Sequence, residues 1–123
     1  MMTGVISSQR EATLSLTVRG SHGPDQAVQA VIDTGFDGDL TLPTSLVHAL
    51  GLPYYSRTIA TLADGSFVPL RIFRATVVWD GQDRTAYVLE ADGGPLLGMG
   101  MLYGSRVTLD VVDGGDVIIE GLP

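Results

Sequence analysis

Glycine and proline punctuate this chain so often that only short elements fit between them. Sixteen glycines and six prolines are spread along 123 residues, and such punctuation favours many short strands joined by tight turns. Leu14, Leu16 and Val18 alternate with serine and threonine inside Glu11 to Arg19, the period of a half-buried strand. After the turn cluster Gly20 to Asp25, Ala27 to Ile32 reads as a second strand, more apolar and so expected to be the more buried. The two form a hairpin that delivers the chain to Asp33. Leu40 to Leu42 is a short extended piece ended by Pro43. Thr44 or Ser45 is placed to cap a short helix through Leu50, with Gly51 as its stop. Ser56 to Ala63 and Phe67 to Trp79 read as strands around the hairpin signal Asp64-Gly65. Trp79 to Asp83 is another turn and Thr85 to Glu90 another strand. Asp92 to Pro95 breaks the chain before Leu96-Leu97-Gly98 and a helical turn over Met99 to Tyr103. Val107 to Val112 and Val117 to Glu120 are the last strands. With no linker and no internal repeat, residues 1–123 read as one mostly β domain with one or two short helices.

Composition removes several chemistries. The net charge of -7 and the absence of lysine disfavour nucleic acid and anionic membranes as partners. They also exclude Schiff-base and phosphate-loop lysines. With no cysteine, thiolate and disulfide chemistry are absent. No apolar stretch is long enough to span a bilayer, and Met1 to Arg10 lacks the pattern of a signal peptide. A cytoplasmic location is therefore expected. Two histidines, His22 and His48, do not make a three-histidine metal site, and the acidic run from Asp33 to Asp39 fails as a calcium loop, because Gly35 and Thr44 stand where oxygen ligands belong. Neither metal nor cofactor is expected.

Val31-Ile32-Asp33-Thr34-Gly35 is the run that remains. An aspartate straight after a buried strand needs hydrogen bonds to hold an ionised carboxylate beside apolar residues. Thr34 offers a hydroxyl and Gly35 a tight turn.

The wider pattern resembles the retropepsin-like (clan AA) aspartic proteases, in particular their small bacterial and archaeal members. The residues that carry the resemblance are Val31 to Gly38, Leu40-Thr41-Leu42-Pro43, the turn Ala63-Asp64-Gly65-Ser66 and the run Pro95 to Met99. It implies a retropepsin-like acid-protease barrel, an aspartic endopeptidase activity on peptide or unfolded protein substrates, and a homodimer. Asp33 would be one half of a catalytic dyad completed by Asp33 of a second copy, since Asp-Thr-Gly occurs once. Thr34 would hydrogen-bond across the axis. Gly35 completes the catalytic motif and, with Asp37, matches a position that contacts substrate backbone; Phe36, Asp37 and Gly38 would bind substrate, as would Ala63, Asp64 and Gly65 in the tip of a mobile flap that runs from Ala63 to Ser66. Leu96-Leu97-Gly98 would pack beneath the active loop. Val117 to Ile119, and with them Val5-Ile6, are apolar enough for an intersubunit sheet; the alternative is an ordinary edge strand within the chain. Phe36 replaces a small residue of the retroviral pattern, and Met99-Gly100 replaces an arginine and an asparagine. Asp37 so lacks its usual partner, and Arg106 is the candidate substitute. The alternative implied by the same fold is a catalytically silent dimer that binds peptides or proteins.

Overall fold

The computed structural model describes residues 1–123. Ten strands and two short helices follow one another in a mostly β chain. Six strands close a barrel: β2 (Ala12–Val18), β3 (Gln26–Ile32), β8 (Leu96–Leu97), β4 (Leu40–Leu42), β7 (Gln82–Glu90) and β6 (Phe67–Trp79). Closure comes from β6 returning to β2, with Thr17 opposite Val78 and Val18 opposite Val77. β5 (Tyr54–Thr61) hangs outside β6 as the arm of a hairpin. On the other side, β1 (Met2–Ile6) pairs with the start of β2, β10 (Asp116–Gly121) pairs with β1, and β9 (Ser105–Leu109) lies outermost.

The barrel interior is aliphatic. Leu14, Leu16, Val18, Val28, Ala30, Leu40, Leu42, Val77, Val88 and Leu97 are all buried there. Period-two alternation turns these side chains inward and their polar neighbours out. β2 is more buried than β3, the reverse of the expectation from composition: Thr13, Leu14, Leu16 and Val18 are buried in β2, but only Val28 and Ala30 in β3. The reason is topological. β2 pairs with β1, β3 and β6 along its length, while Ala27 and Gln29 of β3 face solvent. The two buried threonines are satisfied: Thr13 Oγ1 donates to the Val5 carbonyl at 2.8 Å, and Thr41 Oγ1 accepts the Leu96 N–H at 2.8 Å.

Helix α1 (Thr44–Leu50) buries Val47 and Leu50 against the barrel and stops at left-handed Gly51. Its N-cap is Pro43 and no side chain caps it, so the expected cap at Thr44 or Ser45 is displaced by one or two residues. Pro43, fixed at φ -70°, already offers its carbonyl to the N–H groups of Leu46 and Val47. The terminal strands differ from expectation more sharply. β10 lies between β1 and β9, with Met2 opposite Ile119 and Val117 opposite Leu109. Both of its edges are occupied within one chain, as are those of Val5 and Ile6 in β1. Val117 to Ile119 and Val5-Ile6 therefore have no free edge for an intersubunit sheet; β9 and β5 are the edges that remain.

Candidate active site

The parallel pairing of β3 with β8 brings Asp33 to the mouth of the barrel. Val31 sits opposite Leu96 and Ile32 opposite Leu97, and the ladder ends with the Asp33 N–H on the Leu97 carbonyl at 2.9 Å. The chain then turns. Asp33 Oδ1 accepts the Gly35 N–H at 2.9 Å, and the Asp33 carbonyl accepts the Phe36 N–H at 3.2 Å. The carboxylate is thereby oriented by its own loop, while the side chain stays half-buried. Thr34, Gly35 and Asp37 are exposed. Thr34 makes no side-chain hydrogen bond within the chain.

Helix α2 (Met99–Leu102) clamps this loop from below. A helix N-terminus has orphan N–H groups, and here carbonyls of the loop accept them: Gly98 donates to Asp39, Met99 to Phe36 and Gly100 to Gly38, all at 2.8–2.9 Å. Such close backbone approach leaves no room for side chains. A Cβ on Gly98 would lie 2.2 Å from the Gly38 carbonyl oxygen, and one on Gly100 would lie 2.4 Å from Asp39 Oδ1. Asp39 Oδ2 in turn accepts the Tyr87 N–H at 2.9 Å, which fixes the loop to β7. Leu97 is fully buried, and its carbonyl is the one that accepts the Asp33 N–H.

The far end of α2 is held by Arg84. Its two terminal nitrogens donate to the carbonyls of Met101 (2.9 Å) and Gly100 (3.1 Å), and its guanidinium lies 5.5 Å from the Trp79 ring centre. Replacing Arg84 with methionine removes both donors and should cost about 2 kcal/mol in denaturant unfolding. Lysine, with a compact charge and no planar fork, should recover only part of that loss.

A cavity of about 320 Å³ opens beside the loop. Phe36, Asp37, Gly38 and Asp39 line one side; Thr58 and Ile72 of the β5–β6 hairpin, with Tyr87 and Leu89 of β7, line the other. Of the expected substrate-contact residues, Phe36, Asp37 and Gly38 thus meet in one place. The Phe36 ring lines this cavity and also folds over Gly38 and Gly98, filling the space that side chains there would need. Ala63, Asp64 and Gly65 form the hairpin turn but do not line the cavity. Thr58, Ile72, Tyr87 and Leu89 were not singled out from sequence. Ile72, Tyr87 and Leu89 take the outward positions of β6 and β7, alternating with the buried Phe73, Ala86 and Val88, and Thr58 is exposed on β5, a pattern that reads the same for any outward-facing strand residue. Arg106 does not take the role suggested for it. It lies in β9 opposite Glu120, and Asp37 has no ion-pair partner in the chain.

The hairpin tip is built on Asp64. Its Oδ1 accepts the Ser66 hydroxyl at 2.6 Å and the Ser66 N–H at 2.9 Å, and Gly65 takes φ +84°. These bonds, the hydroxyl first, hold the Asp64 carboxyl below the ordinary aspartate value. The turn is therefore fully braced above that ordinary value and loses the brace as pH falls through the depressed one. The Ser66 amide chemical shift should titrate there, and Asp64→Ala should abolish the titration.

No family model matches the sequence, and no curated protein matches it. Among solved structures, EIAV protease complexed with the inhibitor HBY-793 is similar at a TM-score of 0.62, with 20% identity over 77% of this chain and 88% of that one. A retropepsin-like aspartic protease from Rickettsia conorii is similar at 0.54, with 15% identity over 98% of this chain and 93% of that one. The fold is retropepsin-like.

Proposed function

We propose that residues 1–123 form one protomer domain of a homodimeric aspartic endopeptidase, with Asp33 of each copy supplying half of the active site. The observation that carries this reading is the placement of Asp33. A half-buried carboxylate ends a barrel strand, is oriented by the Gly35 N–H, and stands in the loop that borders the cavity. The retropepsin-like fold supports it.

Two carboxylates brought together do not both ionise readily, so they share one proton. The ionised Asp33 takes a proton from water as the oxygen attacks the peptide carbonyl carbon. The protonated Asp33 donates to the carbonyl oxygen, giving a neutral tetrahedral diol. Collapse breaks the C–N bond as a proton passes to the leaving amine. Thr34, exposed and without a partner in its own chain, is available to bond across the axis. The β5–β6 hairpin, with Ala63, Asp64 and Gly65 at its tip, serves as a lid over the peptide, and the cavity takes a substrate side chain against Phe36, Ile72 and Leu89.

Incubation with a diverse peptide mixture from acid to neutral pH tests this. Cleavage should ignore EDTA and decline as pH rises through loss of the shared proton, which removes the general acid. Sensitivity to EDTA would assign the chemistry to another group. Silence at every pH, with peptides still binding, would favour the binding-module reading, in keeping with the unpartnered Asp37.

A further inference from the structure

Three carboxylates share the loop from Asp33 to Asp39, and backbone donors engage two of them. Asp33 Oδ1 accepts the Gly35 N–H and Asp39 Oδ2 accepts the Tyr87 N–H, both at 2.9 Å. Asp37 is exposed, accepts no hydrogen bond and makes no ion pair within the chain. It also lines the cavity of about 320 Å³, where Phe36, Ile72, Tyr87 and Leu89 supply apolar walls. Neither histidine and none of the seven arginines lines that cavity. Strand alternation explains the absence of two of them. Arg57 and Arg71 neighbour Thr58 and Ile72 in sequence, but they pair with each other on the opposite face of the hairpin. There Arg71 bonds to Glu90 at 2.6 Å. Arg74 lies opposite Tyr87 on the cavity's face and stays outside the lining.

We propose that this cavity selects a long basic side chain of a bound peptide, arginine ahead of lysine, and that Asp37 sets the preference. The inference deepens the peptide-substrate reading and rests on it for the kind of occupant; the lining supplies the chemistry. A basic side chain is apolar along its stem and charged at its end, so it lies along an apolar wall and keeps its head at a polar rim. Here Phe36, Ile72 and Leu89 offer the wall and Asp37 the rim. A guanidinium adds two matches that an ammonium lacks. Its planar fork bonds a carboxylate through two parallel donors. It also stacks on aromatic faces, and the rings of Phe36 and Tyr87 line this cavity.

Other side chains fit less well. An aliphatic one covers the wall but shuts Asp37 away from water without a partner, at a desolvation cost. A glutamate sets a third carboxylate beside Asp37 and Asp39, and like charges at close range repel. Asp39 adds to the sign of the cavity, but its bond to the Tyr87 N–H commits it to holding the loop. Asp37 is the carboxylate left free to meet a ligand. The net charge of -7 works in the same direction at longer range, drawing cationic peptides toward the protein.

Peptides that differ at one position test this, carrying arginine, lysine, norleucine or glutamate there, with that position moved along a common frame. Binding is read by fluorescence anisotropy on Asp33→Asn protein, and kcat/KM on the wild type. At one position arginine should bind about tenfold more tightly than norleucine, with lysine between them and glutamate weakest. Added salt should narrow the gap. Asp37→Asn should bring the arginine-to-norleucine ratio to about one, and Asp37→Arg should turn the preference toward glutamate. Circular dichroism checks folding, and Asp37→Asn decides alone where the charge reversal does not fold. A flat ratio at every position, or an arginine preference that survives Asp37→Asn, would overturn the proposal. Arginine-selective binding through Asp37 without any cleavage would support it and count against the peptidase reading. Cleavage that depends on Asp33 and ignores the basic side chain would do the reverse. A chain that neither binds nor cleaves any of the peptides would overturn both.

Discussion

Asp33→Asn is expected to lower peptide cleavage by at least about a thousandfold, the scale of general acid–base catalysis by a positioned group, while leaving the protein folded and dimeric. The substitution keeps the shape of the side chain, and its amide oxygen can still accept the Gly35 N–H that Asp33 Oδ1 accepts at 2.9 Å. What it removes is the titratable proton. A dyad of two asparagines has neither a base for the water nor an acid for the carbonyl oxygen. The measurement is cleavage of a responsive peptide by wild type and variant, with the melting temperature of both. Mixed dimers sharpen the result: one wild-type and one Asp33→Asn subunit should also be inactive, because a single carboxylate cannot serve as base and acid at once. Full activity in the variant would remove Asp33 from the chemistry.

The local features of this chain were legible because their causes are local. Asp64-Gly65 marks its turn by the need for a left-handed residue and by a carboxylate that bonds two residues on, and the alternation in β6 follows from one buried face. The motif Asp33-Thr34-Gly35 was legible for the same reason, with the loop carried by a strand end. The pairing of residue 2 with residue 119 was not. Both strand segments are apolar enough to pair with each other or with another chain, and nothing in either says which. The cavity wall was hidden in a similar way. Thr58, Ile72, Tyr87 and Leu89 come from three strands and acquire a shared role only after barrel closure. Arg84 was silent too, because its partners are backbone carbonyls, which leave no mark in the sequence.

Gly98 is where the requirements of fold and site coincide, and Gly98→Ala should separate them from ordinary glycine loss. A methyl there would meet the Gly38 carbonyl oxygen at 2.2 Å, the Phe36 ring at 2.6 Å and the Phe36 carbonyl oxygen at 2.8 Å. Two of the three contacts are backbone, so no rotamer change relieves them. Either α2 or the loop must shift, and the bonds from Gly98, Met99 and Gly100 to that loop must stretch. The expected cost is about 2–3 kcal/mol in denaturant unfolding, together with about a hundredfold loss of kcat from a displacement near 1 Å at the reacting carboxylate. Gly65→Ala provides the comparison. It sits at φ +84° with nothing within 4 Å of an added Cβ, so it should cost about 1 kcal/mol through backbone conformation alone and should act on the hairpin tip. Equal stability losses in the two variants would mean that the loop yields to the methyl. A normal kcat in a destabilised Gly98→Ala protein would show that the clamp by α2 supports the barrel without aligning Asp33.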